Sequence, residues 1–386
     1  MTRGKQPPLR AGPKPLGLHL AMMSAAAMMA HAKNPAAGDK NGTDQLSLAL
    51  QGIDLWRAHP FRRPDSGLVR RHPIGQSSLL DIAAARRKSS GGEDEKGQTP
   101  ASRKPVLLVP SLINPPTILD LLPDNSLAGF LYDQGFAPML LDWGAPGAME
   151  HDFGLADYCA RIHQMIDHLV EAWGGPVPVI GYCMGGTLAL AAAGRAGAAV
   201  ERLACLAAPW DFHADGAVHQ GLARMAMPLL PLIAHLGEAP MDLIQSFFIS
   251  LSPDAALRKF SHFARMPQDG PDARLFVALE DWLNEGPPLA GPAATEVLRD
   301  WYVLNSPMRG CWQMGSEMVS ARDYAGPVFC AVPQNDRIVP PQSALGLVAG
   351  FHPDHLVRPS SGHVGMIVGR RARTDLWMPL SKWLQG

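Results

Sequence analysis

From residue 106 onward, short uninterrupted apolar runs alternate with stretches of helical period, and no other feature of the chain constrains its fold as strongly. VLLVP (106–110), FAPMLLDW (136–143), VPVIGYC (177–183) and LACLAAP (203–209) have strand length and little polarity. Runs apolar on both faces suit strands of a parallel sheet covered on each side by helices. SLAGFLYDQG, closing at Gly135, LADYCARIHQMIDHLVEAW and TLALAAAG supply helices between them. Strand–helix alternation through short connections implies right-handed crossovers. The expected class is therefore α/β, with a mostly parallel central sheet flanked by helices. The alternation breaks between about 212 and 305, where Met, Leu and Pro recur at helical spacing, as in a cap inserted over the sheet edge. It resumes with GPVFCAVPQND, PPQSALGLVAGF, HLVRPSSGH and TDLWMPLSKWLQ.

Before residue 105 the pattern differs, so residues 1–104 are read as an N-terminal extension and 105–386 as the catalytic domain. Four basic residues precede an apolar stretch from Leu16 to Ala30, and Ala30-His31-Ala32 has small-x-small spacing. A secretory leader shows this pattern, and so does an Ala/Met-rich helix packed on the body. Five cysteines, an odd number without C-x-x-C spacing, argue against a disulfide framework or a zinc site and for a reducing compartment. The helix and a cytoplasmic protein are accordingly the expectation. A polar linker over 33–50, a short helix in LALQGIDLWRAHPFRRP, a strand and an exposed loop over 86–105 complete the extension. A net charge of −1 gives no basic surface for nucleic acid.

VIGYCMGG (179–186) carries the chemistry. It has the frame of the G-x-S-x-G elbow, with Cys183 in the serine's place between Gly181 and Gly185. A nucleophile elbow needs small flanking residues because its tight turn brings backbone against backbone. It also leaves the Met184 amide at a helix N-terminus, where an oxyanion can be held and a thiolate is favoured. No G-x-S-x-G occurs elsewhere. Asp336 follows one later strand and His363 the next, and the order nucleophile, acid, histidine is that of α/β-hydrolases.

These residues resemble those of the polyhydroxyalkanoate (poly-3-hydroxybutyrate) synthases. GYCMGGTL is similar to their cysteine lipase-like box. LLVPSLINPPTILDLLPDNSL, DQGFAPMLLDWGAP, LADYCARI, LAAPWDFH, EDWLNEG, WYVLNS and GHVGMIVG follow the same template across about 105–385. The resemblance implies an α/β-hydrolase fold and a homodimer that polymerises 3-hydroxyacyl groups from coenzyme A thioesters, with an accessory subunit and contact with an apolar polymer granule left open. It implies no cofactor, coenzyme A being the leaving group of the substrate. Cys183 would be the covalent nucleophile and His363 its base. Asp336 would serve the incoming hydroxyl directly or through His363. The amide of Met184, with that of Leu112 or Ile113, would form the oxyanion hole.

A sulfur suits that task. Attack of a thiol on a thioester exchanges one thioester for another, so the acyl group stays activated until a hydroxyl arrives, and a histidine near neutrality can activate the thiol. Two other classes use the same residues or scaffold: a thiol hydrolase (thioesterase or polyester depolymerase), and a non-catalytic granule-binding protein.

Overall fold

The computed structural model describes residues 7–33, 40–64, 67–89, 103–214, 216–350 and 353–386. The chain forms two compact units, one of residues 65–240 with 287–386, the other of residues 1–64 with 241–286.

The larger unit is built on an eight-stranded sheet. Its strands are β1 (Val69–Ile74), β2 (Ser77–Asp81), β3 (Pro105–Val109), β4 (Ala137–Asp142), β5 (Val177–Tyr182), β6 (Val200–Leu206), β7 (Val328–Ala331) and β8 (His355–Val357), in the order β1-β2-β4-β3-β5-β6-β7-β8. β1 pairs antiparallel with β2, and β2 antiparallel with β4; all other pairings are parallel. The apolar runs became strands because both their faces are covered: every residue of β3, β5 and β7 is buried. Tyr182, Leu206, Ala331 and Val357 pair in register across β5, β6, β7 and β8. These four strands therefore end in one row, and the loops after them leave from the same edge. That is where open parallel sheets collect ligands.

The division at 104 does not match these units. β1 and β2 lie inside the expected extension yet belong to the main sheet. The signal was weak because β1 is an edge strand carrying Arg70, Arg71 and a proline, a composition that keeps edges from pairing further. Of the loop expected over 86–105, residues 86–89 end the helix Ile82–Ser89, and residues 90–102 lie outside those described.

The smaller unit joins the N-terminal helices Leu16–Lys33 and Lys40–Ala58 to Ala255–Ala264 and Pro271–Asn284. Met23, Ala27, Ala49, Ile53 and Trp56 share a core with Leu257, Phe260, Phe263 and Val277. Gly52 is required there: a Cβ on it would lie 2.1 Å from the Phe260 carbonyl oxygen. Arg10 locks the arrangement through Asp281 and the carbonyls of Trp56, His59 and Phe61. The apolar N-terminal stretch is thus a packed helix, and no described helix is long and apolar enough to cross a membrane. The polar linker expected over 33–50 is helical from Lys40, because the stripe Leu46, Ala49, Ile53, Trp56 has a face to bury; residues 34–39 lie outside those described. The stretch expected as one cap over 212–305 is largely helical, but it is shared between the units, with only 241–286 in the smaller one.

Candidate active site

Cys183 sits between the end of β5 and the helix Met184–Ala196, with φ 57° and ψ −132°. A non-glycine residue in that region costs on the order of 1–3 kcal/mol and persists only where its surroundings over-determine it. Here they do. The Cys183 amide donates to the Leu206 carbonyl at 2.8 Å, and the Gly186 amide donates to the Cys183 carbonyl at 2.8 Å. The glycines permit the approach. A Cβ on Gly181 would lie 2.4 Å from the Gly186 Cα, and one on Gly185 would lie 2.3 Å from the Pro110 oxygen and 2.4 Å from that of Val109. Because these neighbours are backbone, nothing flexible can yield. Gly185→Ala is expected to destabilise the protein by about 1–3 kcal/mol, read as a lowered denaturant midpoint with an unchanged slope.

Asp336 and His363 come from the loops after β7 and β8. The Asp336 Oδ1 accepts the amides of Ile338 and Val339, both at 2.9 Å, and its Oδ2 lies 2.7 Å from His363 Nδ1. Both oxygens are therefore engaged and both side chains buried. Cys183 lies close enough to the imidazole to act on it through charge and hydrogen bonding; with Nδ1 taken by Asp336, Nε2 is the nitrogen left to it. The structure thus brings residues 183, 336 and 363 together. Cys183 also packs with Ile338 against Val332, Val339 and Ala344, which fixes the loop carrying Asp336 beside the sulfur.

Burial works against a charged His363. The Asp336 carboxylate and Cys183 overcome it and raise the imidazole from 6.5 to about 10. A group whose folded pKa is raised stabilises the fold fully below its unfolded value and loses that contribution as pH climbs through the folded one. Between about pH 6.5 and 10, the stability of the wild type should therefore fall more steeply than that of His363→Gln, which lacks the titrating group. Denaturant midpoints across that range test it; parallel slopes would contradict the charged pair.

The other cysteines are chemically distinct. Burial pushes the thiols of Cys159, Cys205 and Cys330 well up, that of Cys330 to about 12, and Cys311 is exposed.

The expected oxyanion donors divide. Met184 is the first residue of the elbow helix, so its amide has no intrahelical acceptor. Leu112 and Ile113 lie in the loop after β3, which leaves its strand against Gly185. The Ile113 amide already donates to the Ser111 hydroxyl at 3.3 Å, so of these two Leu112 is the better candidate. Tyr182 was not singled out in the sequence, yet its ring centroid lies 5.0 Å from that of His363 and its hydroxyl donates to the His363 carbonyl at 3.4 Å. It occupies the variable position of the elbow motif, and only its tertiary neighbour marks it.

A family model described as the alpha/beta hydrolase fold matches residues 131–369. The chain is 28% identical to the poly(3-hydroxyalkanoate) polymerase subunit PhaC of Haloferax mediterranei over 72% of its own length and 58% of that protein's. It is 27% identical to the subunit of the same name from Allochromatium vinosum, over 75% of this chain and 82% of that one. The Synechocystis subunit is 27% identical over 72% and 77%. The chain thus spans about three-fifths of the Haloferax relative and of the one from Haloarcula marismortui, at 58% and 60%. Among solved structures, a hydrolase from Pseudomonas aeruginosa PA01 matches with a TM-score of 0.50 at 14% identity, over 83% of this chain and 99% of that one. A carboxylesterase structure from Nitrososphaera gargenis gives the same score and identity over 82% and 99%. At that identity the likeness speaks for the fold alone.

Proposed function

The chain belongs to the α/β-hydrolase fold family, and from that premise we propose that it is an acyltransferase that polymerises 3-hydroxyacyl groups from coenzyme A thioesters into a polyhydroxyalkanoate. The observation that carries the reading is a sulfur at the elbow beside a histidine that is itself hydrogen-bonded to a carboxylate. The chain's similarity to poly(3-hydroxyalkanoate) polymerases points that chemistry towards polyester synthesis.

In the proposed cycle the Cys183 proton resides on His363 Nε2, and Sγ attacks the thioester carbonyl. The oxyanion is held by the amide of Met184 with that of Leu112. The carbon–sulfur bond to coenzyme A then breaks, and His363 returns its proton to the departing sulfur. A hydroxyl of a second 3-hydroxyacyl unit or of the growing chain next gives its proton to His363 and attacks the acyl-Cys183. An oxoester forms and the Cys183 sulfur is released. Asp336 acts through His363, a role supported by its Oδ2 lying 2.7 Å from the imidazole Nδ1 and by the burial of its side chain. The scheme calls for no cofactor. A homodimer at a polymer granule belongs to the same proposal.

The test supplies 3-hydroxybutyryl-coenzyme A and follows free thiol and acyl product together. Thiol release with polymer supports the proposal. Thiol release with free acid would make the protein a hydrolase, and no turnover would leave a scaffold.

A further inference from the structure

We infer that the face of the Tyr182 ring holds His363 in its protonated form and so keeps the Cys183 proton on the imidazole; Tyr182 is a positioning residue for the reactive sulfur. The inference rests on reading Cys183 and His363 as nucleophile and base.

Four observations carry it. Tyr182 is the last residue of β5, 1% exposed, and its backbone is pinned by pairing with Leu206. Its ring and the imidazole are 5.0 Å apart between centroids and inclined by only 31°, so the ring presents a face. A cation within about 6 Å of such a face is attracted by the ring's quadrupole, more strongly where water is excluded. The Tyr182 hydroxyl is spent on the His363 carbonyl, which holds the histidine loop over the ring. Burial, with Cys183 and Asp336 close by, pushes the Tyr182 phenol well up, so it remains neutral.

The groups facing His363 are thus Asp336 on Nδ1, Cys183 on the other nitrogen, and the Tyr182 ring. Asp336 supplies charge and Tyr182 supplies a polarisable wall where water would otherwise be needed. The step concerned is a proton transfer: the S–H bond of Cys183 breaks, an N–H bond forms on His363, and the electron pair stays on sulfur. Whatever stabilises the imidazolium favours the thiolate by the same factor.

The experiment measures the alkylation rate of Cys183 by iodoacetamide near neutral pH, read by peptide mass spectrometry with the exposed Cys311 as internal standard. Position 182 carries Tyr, then Phe (Tyr182→Phe), then phenylalanines with one, two and three ring fluorines. Fluorination drains the ring face and barely changes its size, so a packing role would not respond to it. Tyr182→Phe should stay within about twofold of wild type, and the series should fall progressively by roughly threefold to tenfold. Tyr182→Leu should lie at or below the end of the series. A flat series, or a Tyr182→Phe rate as low as that of Tyr182→Leu, overturns the inference. His363→Gln separates the two readings: if it leaves the Cys183 rate unchanged, the cysteine–histidine pairing itself is wrong whatever position 182 does.

Discussion

Cys183→Ala is expected to lower turnover of a 3-hydroxyacyl-coenzyme A thioester by about 10³-fold or more, leaving only what binding and oxyanion stabilisation supply without a nucleophile. The fold should survive. Both backbone hydrogen bonds of the elbow are made by the main chain of residue 183, and Ala adds no atom to the packing against Val332, Val339 and Ala344. Unchanged circular dichroism and a melting temperature close to wild type would therefore accompany the loss. Cys183→Ser is the sharper variant. It keeps a nucleophilic atom, but the hydroxyl does not ionise against an imidazole as a thiol does, and a serine ester would forfeit the energy of the thioester. It should also fall far below wild type. Full activity in either variant would end the acyl-cysteine proposal.

Asp336→Asn should cost about 10²–10⁴-fold, with a specific cause. The Asn oxygen can still accept from the Ile338 and Val339 amides, so the loop stays in place. That leaves the amide NH₂ facing His363 Nδ1, which must then accept, so the proton moves to the nitrogen that faces Cys183. A histidine in that tautomer cannot take the thiol proton, and the carboxylate that held the imidazole up towards 10 is gone. The measurements are steady-state rates and their pH dependence. The variant should also lose the stability that the wild type gains below about pH 6.5 from a charged His363. A rate within threefold of wild type would show that Asp336 is a structural cap and no more.

Much of the site is legible in the sequence because its requirements are local. Gly181 and Gly185 mark an elbow since a side chain there would strike backbone. The strands preceding Cys183 and Asp336 were visible as apolar runs because a strand covered on both faces can hold little else, whereas the strand preceding His363 is a short, largely exposed edge strand. Local pattern failed where burial depended on a distant partner. β1 looks like an exposed, charged stretch because it is one, and pairing with β2 alone makes it a strand. The helix from Lys40 seemed a linker because the faces it covers belong to residues 256–277, about two hundred positions later. Arg10 gave no sign of meeting Asp281.

The sequence by itself determined the class of fold, the sulfur at the elbow and the order of the acid and the histidine, since each follows from apolar periodicity or from the space a turn allows. Only the tertiary structure decided that both Asp336 oxygens are occupied, that Ile113 has already committed its amide, that Tyr182 faces the imidazole, and that the first sixty-four residues form a unit with 241–286. The physical reason is range. Backbone conformation and side-chain chemistry are set within a few residues, whereas which hydrogen bonds are left to make depends on segments that meet only when the chain has folded.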